Sequence, residues 1–258
     1  MLTETAVSAA RSGAGILMEK FGTDIRIEHK GEVDLVTEAD KAAEAAIVAT
    51  IRERFPTHDI IAEEGDYGVR TSDHCWIIDP LDGTTNYAHG FPWFAVSIGL
   101  EVAGEIITGV VYNPCNDELF VAKKGEGATL NGRPILVSSI PDLDQSLLAT
   151  GFPYDRKTTP DNNYDHFVNF QQAAQACRRP GVASLDLACV AAGRFDGYWE
   201  MKLKPWDVAA GMLLVVESGG TLSDFCGNTA NIYKPEIVAS NGRIHQPMLA
   251  VLSQAVRR

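Results

Sequence analysis

The segment Trp76-Ile77-Ile78-Asp79-Pro80-Leu81-Asp82-Gly83-Thr84-Thr85-Asn86 constrains this chain more than any other. Cys75 to Ile78 read as the end of a buried strand. Two carboxylates, Asp79 and Asp82, follow at once with Pro80 between them. Acids at the end of a buried strand repel one another and lose solvation, which raises their pKa values unless something compensates the charge. A hard divalent cation is the natural compensation, because Mg²⁺ takes oxygen ligands and commonly combines one or two carboxylates with substrate phosphate. Gly83 permits a tight turn and the close approach of a ligand. If a helix or turn begins at Thr84, the free N–H groups of residues 83 to 85 favour an anion at the same spot. Taken alone, D-x-x-D-G favours a Pro turn capped by Asp82; further acids elsewhere in the chain reverse that preference.

The first of these follows Asp59-Ile60-Ile61-Ala62, a short predicted strand that delivers Glu63-Glu64-Gly65. The two side chains diverge if the strand continues, so one can reach a site while the other points away; a solvated pair is the alternative. Asp34-Leu35-Val36-Thr37-Glu38-Ala39-Asp40 leads into an Ala-rich helix from Ala42 to Phe55, ended by Pro56. Thr37 as its N-cap places Asp40 in the first turn, where either the helix dipole or catalysis accounts for it. Lys204-Pro205-Trp206-Asp207 opens a helix that runs to about Ser218, with Gly219-Gly220 as its stop. Asp207 is there either a capping acid or a ligand. Glu63, Asp79, Asp82 and Asp207 together lie at element ends beside apolar runs, a set that suits a two- or three-metal phosphoryl-transfer site. Three Mg²⁺ against these acids leave a balance of roughly +2, matching a phosphate monoester dianion.

The rest of the chain reads as two halves. A helix over 3–20 with Gly22 as its stop, a strand from Ile25 to Glu28 and a mobile polar loop at Lys30-Gly31-Glu32 precede the acidic motifs. Trp93 to Val102 and Glu105 to Tyr112, joined at Ala103-Gly104, then Glu118 to Ala122 and a turn at Asn131-Gly132, predict an antiparallel meander. A Ser-, Pro- and Asp-rich stretch at 138–146 separates an N-terminal α+β subdomain, 1–140, carrying the metal motifs, from a C-terminal α/β subdomain, 141–258, that completes the site. The second half predicts a strand at Leu147 to Thr150, helices at Asn162 to Cys177 and Leu185 to Ala192, and a strand at Phe195 to Met201. After the Pro205 helix come a strand at Ile237 to Ala239 and a last helix from Gln246 to Val256.

Charge and cysteine usage narrow the function class. A net charge of −12 argues against bulk attraction to nucleic acid or an anionic membrane. The five cysteines are widely spaced, odd in number and free of C-x-x-C, which reads as buried reduced thiols. With no apolar run of membrane-spanning length and no leader-like start, the chain reads as soluble and cytoplasmic.

Glu63-Glu64, Asp79-Pro80-Leu81-Asp82-Gly83-Thr84-Thr85-Asn86 and Trp206-Asp207-Val208-Ala209-Ala210-Gly211 resemble the motifs of the inositol monophosphatase family, as does Asp34-Leu35-Val36-Thr37 with Asp40. The resemblance implies a layered α-β-α-β-α sugar-phosphatase fold, within the α+β and α/β classes, and Mg²⁺-dependent hydrolysis of a phosphate monoester by metal-activated water. It implies Glu63, Asp79 and the Leu81 carbonyl as ligands of one metal; Asp79, Asp82 and Asp207 as ligands of a second; and a third, weaker Mg²⁺ near Glu63. Thr84 bonded to Asp40 resembles the pair that orients the attacking water, with Glu63 beside them in the catalytic set. The Gly83 and Thr84 amides resemble a phosphate cradle, with Thr85 next to them. Glu200, Ala183 and Asp82 match positions that meet an inositol ring. Lithium sensitivity and a homodimer follow from the same likeness. Thr85-Asn86-Tyr87 and Glu200 favour inositol 1- or 4-monophosphate. Fructose-1,6-bisphosphate or a broader range of sugar phosphates and nucleotides, or a non-catalytic binding role on the same fold, are the alternatives; Lys202 and Lys204 bear on the second phosphate.

Overall fold

The computed structural model describes residues 1–23, 27–29 and 35–254, with side chains for all of these except 27–29 and 35–37. Helix α1 (Leu2–Lys20) buries Ala6, Ala9, Ala10, Ala14 and Leu17, spaced three and four apart as one helical face requires. The antiparallel pair β1 (Ile27–His29) and β2 (Leu35–Thr37) leads into α2 (Glu38–Arg54). Next come β3 (Asp59–Ala62), β4 (His74–Asp82), the short helix α3 (Thr84–Ala88), β5 (Ala95–Val102), β6 (Glu105–Asn113), β7 (Glu118–Lys123), β8 (Gly127–Leu130) and β9 (Arg133–Pro134). Strands β3 to β9 form one seven-stranded sheet in sequence order, with β3 parallel to β4 and every later neighbour antiparallel.

The second half contributes β10 (Leu147–Thr150), α4 (Tyr164–Ala173), β11 (Ala176–Arg178), α5 (Ala183–Ala191), β12 (Gly197–Met201), α6 (Pro205–Glu217), β13 (Thr221–Ser223), β14 (Glu236–Ser240) and α7 (His245–Leu252). Its five-stranded sheet has the order β11-β10-β12-β14-β13, parallel on the β10 side and antiparallel around β14.

Three apolar clusters stack these elements. Trp76 and Ile78 on β4 face α1 and α2, whereas Cys75 and Ile77, displaced by one residue, face α5 and α6. The second cluster continues from α5 and α6 to Tyr198, Ile237 and Ala239 of the five-stranded sheet. Trp199, Leu148 and Val238 leave that sheet's other face to meet Phe170 on α4 and Met248 and Val251 on α7. The result is five layers, α-β-α-β-α, as the family resemblance implies.

Several elements depart from the sequence reading. The helix expected over Asn162 to Cys177 stops at Ala173, because the backbone from Ala176 to Arg178 pairs in parallel with Leu147 to Ala149. Sheet pairing there overrides the helix preference of Gln172-Ala173-Ala174-Gln175. Strands β9 and β13 are too short to carry a periodic signal, and β8 opens on Gly127-Ala128, residues of low strand preference. The last helix ends at Leu252, and its expected end at Val256 lies outside the described residues. Ile25, the Lys30-Gly31-Glu32 loop, Asp34 and the Thr37 cap lie outside the described residues or side chains as well. All five thiols are free, with Cys75, Cys177 and Cys189 buried and Cys226 exposed. Among the described residues no helix is long and apolar enough to cross a membrane.

Helix α6 packs directly on Gly99 and Gly109 of the seven-stranded sheet. A Cβ on Gly99 would come within 2.9 Å of Ala209 Cβ, and one on Gly109 within 2.6 Å of the Ala210 carbonyl oxygen. Small residues on both surfaces therefore set the height of α6. Gly109→Ala is expected to cost about 1–3 kcal/mol through overpacking against backbone that cannot rotate away, measured as a lower denaturant midpoint with an unchanged m-value.

Candidate active site

The site is built at the C-terminal end of β4. Asp79 pairs with Ser97 of β5 and Asp82 with Ala95, and the register shifts between them. Residues three apart on a regular strand point to opposite faces. The bulge, at Pro80 where no N–H is available to the ladder, lets both acids line one cavity. Asp79 is buried, and its Oδ1 accepts the Leu81 N–H at 3.0 Å. On the other side of β4, Ala62 pairs in parallel with Ile78, so the next residue, Glu63, emerges beside Asp79.

The turn beyond β4 is held in a left-handed conformation by Gly83, at φ 99°, and a Cβ there would come within 2.8 Å of Val182 Cγ2. Helix α3 starts at once. Thr84 Oγ1 lies 3.2 Å from Asp40 Oδ1 and 3.1 Å from the Leu81 carbonyl oxygen. Asp40 is fully buried in the first turn of α2.

Elements from the second half close the cavity. Asp207 sits in the first turn of α6, and its Oδ2 accepts the Lys204 N–H at 2.7 Å. Ser97 Oγ donates to the Trp206 carbonyl at 3.3 Å and ties that turn to β5. The N–H of Ser184, in the first turn of α5, donates to Asp82 Oδ2 at 2.7 Å. Glu200, near the end of β12, accepts the Tyr198 hydroxyl at 2.5 Å and packs so tightly on Gly151 that a Cβ there would be 2.1 Å from its carboxylate. Glu63, Asp79, Leu81, Asp82, Gly83, Thr84, Thr85, Ala183, Glu200 and Asp207 all line this cavity of about 300 Å³, and Asp40 stands behind it through Thr84.

Burial pushes the acids upward. Asp79 and Asp207 are raised well above the usual carboxylate range, first by desolvation and then by the neighbouring acids, Glu63 foremost for Asp79 and Asp82 for Asp207. Desolvation lifts Asp82 to about 6 against the hydrogen bonds from Ser184, and lifts Glu200 to about 7 against that from Tyr198. Among the described residues no three Asp, Glu, His or Cys side chains are closed around a point as a finished metal cage. The acids line one cavity, while Asp79, Asp82 and Asp207 are each held by a backbone N–H of the protein.

Four contributors escaped the sequence reading. Asp186 is fully buried on α5 with both carboxylate oxygens lacking a hydrogen-bond partner, and burial, Glu200 and Asp82 drive its pKa well up. An acid inside the apolar run Leu185 to Ala192 is a signal that could have found it. Arg179 lines the cavity from the turn before Gly181, and Arg178-Arg179-Pro180-Gly181 is visible as a basic turn. The Ser184 amide and the Tyr198 hydroxyl leave no trace in sequence, since their roles depend on which atoms lie opposite. Among the described residues no histidine lines the cavity: His245 bonds Ser240 and Ser223, His58 stacks on His74, and His89 is exposed.

A model of the inositol monophosphatase family matches residues 1–258. An inositol-1-monophosphatase of Synechocystis sp. is 47% identical over 252 residues, 97% of this chain and 88% of that protein. A Nus factor SuhB of Escherichia coli (strain K12) is 46% identical over 262 residues, 98% of this chain and 97% of that protein. The solved structure of an inositol monophosphatase from Anabaena (Nostoc) sp. PCC 7120 superimposes with a TM-score of 0.90 at 45% identity, covering 98% of this chain and 96% of that one.

The raised acids give a signed pH dependence. Each binds its proton more tightly in the folded protein than in the unfolded chain, so stability present at low pH is lost as pH climbs through the folded values. With Asp82 at about 6 and Glu200 at about 7, the melting temperature of the metal-free protein is expected to fall as pH rises from about 5 to about 8. Asp207→Asn is expected to flatten the slope. Melting curves across that range in a chelating buffer measure both.

Proposed function

This chain belongs to the inositol monophosphatase family, and we propose that it is a Mg²⁺-dependent phosphatase that uses water to cleave a monophosphorylated polyol of the inositol 1- or 4-phosphate type. The observation that carries this reading is the convergence of Glu63, Asp79, Asp82 and Asp207, from separate elements, on one cavity that also holds Glu200. Its donors are oxygens, with no His or Cys among the described lining residues, which fits a hard divalent cation. Two or three Mg²⁺ held by Glu63, Asp79, the Leu81 carbonyl oxygen, Asp82 and Asp207 would neutralise the acids, activate water and stabilise charge on the leaving oxygen.

The chain's own groups do the rest. Thr84 Oγ1 orients the attacking water, and Asp40 Oδ1, 3.2 Å away and buried, accepts the proton passed through the hydroxyl. The Gly83 and Thr84 N–H groups, at the start of α3 where no helical acceptor exists, donate to the phosphoryl oxygens, with Thr85 at the cavity edge. Glu200 and Asp82 accept polyol hydroxyls, and the small side chain of Ala183 leaves room for the ring. The ester P–O bond breaks as water's oxygen bonds to phosphorus. A proton ends on the released alkoxide, leaving alcohol and inorganic phosphate without a covalent enzyme intermediate.

Arg179 and Lys204 on the cavity wall favour a second reading, a bisphosphate such as fructose-1,6-bisphosphate. Against it, Lys202 is committed to Asp155 at 2.9 Å and Thr159 at 3.2 Å. A relative named as a Nus factor also makes a partner-binding role, beside catalysis or instead of it, an alternative. A homodimer suits the exposed Phe91, which borders an apolar hollow with Trp93 and Phe195.

Phosphate release from inositol 1-phosphate, fructose-1,6-bisphosphate, histidinol phosphate and an adenosine bisphosphate tests the reading. Inositol 1-phosphate is expected to turn over fastest, only with Mg²⁺, and to be inhibited by Li⁺. Asp207→Asn is expected to lose at least about a hundredfold in rate, beyond the usual cost of an outer-sphere change, while melting cooperatively. Faster turnover of the bisphosphate would move the assignment to the second reading, and no turnover of any ester would favour the binding role. Light scattering on the eluted protein is expected to give twice the chain mass; a monomer mass would reject the dimer.

A further inference from the structure

Glu44 is a buried acid in the interior of α2, 2% exposed, outside the cavity. Its Oε2 accepts the Glu64 N–H at 2.9 Å, and its Oε1 accepts the Tyr67 hydroxyl at 2.8 Å. Gly65 fits between them: a Cβ there would lie 2.7 Å from Glu44 Oε1 and 2.8 Å from the Tyr67 ring. Arg52, farther along α2, places its guanidinium 5.3 Å over the same ring. A carboxylate buried on a helix face is costly unless paired, and the partners of Glu44, the Glu64 and Gly65 backbone and the Tyr67 hydroxyl, all belong to the segment that follows β3. The far end of that segment is pinned separately, by Asp59 to the Thr71 and Ser72 N–H groups and by Arg70 to Glu101.

The N–H of Glu64 lies in the same rigid peptide plane as the Glu63 carbonyl. With β3 holding the peptide before Glu63 and Glu44 holding the one after it, both φ and ψ of Glu63 are constrained, and φ sets the direction in which its side chain leaves the end of β3. Parallel pairing with β4 stops at Ala62, so by itself it sets neither angle. We propose that Glu44, with Tyr67, is a positioning residue that aims the Glu63 carboxylate into the cavity and thereby sets the affinity of the site for its divalent cation. The inference rests on the reading of Glu63 as a metal ligand. Gly65 is required by the same clamp, because any side chain there would wedge Glu44 from Tyr67.

Titration calorimetry of Mg²⁺ into the full chain, without substrate and beside thermal melting, tests this. Glu44→Ala is expected to weaken binding about tenfold or more, in the range for outer-sphere partners of a metal ligand, and Tyr67→Phe severalfold. Glu44→Gln keeps an oxygen for the Glu64 N–H and an N–H for Tyr67, and is expected to stay within about threefold of the parent. KM at saturating Mg²⁺ should be unchanged in all three. If the parent binds no Mg²⁺, or Glu63→Gln binds it as the parent does, the reading of Glu63 fails and the clamp with it. If Glu63→Gln loses affinity while Glu44→Ala and Tyr67→Phe keep it, the clamp alone is overturned. Should Glu44→Ala not fold, Tyr67→Phe decides, and parental affinity there overturns the proposal.

Discussion

The desolvation and mutual repulsion of carboxylates crowded on one cavity are the constraint around which this structure is arranged. Asp79 is buried and Asp82 and Asp207 are half-buried; desolvation first, and then neighbouring acids, raise the cost of ionising Asp79 and Asp207. Folding alone gains nothing from such an arrangement, since an unpaired buried charge is among the most expensive features a protein can carry. Each acid is given a backbone N–H to fix its direction, from Leu81, Ser184 and Lys204 respectively. These bonds orient the groups without neutralising them. That arrangement supports the proposed reading, in which cations would meet the charge.

The layers translate this demand into geometry. Glu63 and the two acids of β4 come from adjacent parallel strands, one of them bulged, while Asp207 must descend from a different layer. It reaches them because Gly99 and Gly109 let α6 settle on the sheet through Ala209 and Ala210. A larger residue at any of these contacts would lift the first turn of α6, and Asp207 with it. The backbone approach of a helix and the position of a carboxylate are therefore one quantity, which explains why Ala209 and Ala210, two and three positions after Asp207, are small.

A second group of acids lies on β12 and α5. Glu200 takes the Tyr198 hydroxyl and leans on Gly151, while Asp186 is sealed beneath without a hydrogen-bond partner of its own. Burial lifts Glu200 into the neutral range, so the wall that would greet substrate hydroxyls changes its capacity to accept protons near physiological pH. Glu44 adds a third kind of buried acid, one whose oxygens serve the backbone beside Glu63.

The sequence by itself determined which residues carry charge at the ends of apolar runs, and which turns must contain Gly or Pro. Asp79-Pro80-Leu81-Asp82-Gly83-Thr84 announces a strand end, a break in the ladder and a left-handed turn, because each follows from local backbone chemistry. The unbroken apolar run Cys75-Trp76-Ile77-Ile78 likewise determined that β4 would be covered on both faces. Tertiary structure decided what local chemistry cannot hold. It placed Asp207 of the distant α6 on the same cavity as Asp79, ended α4 early by offering β11 a partner, and turned Asp186 and Glu44 from helix residues into buried groups with different surroundings. In each case the outcome depends on which backbone or side chain arrives from far along the chain. A carboxylate acquires its charge state and its role only from those neighbours.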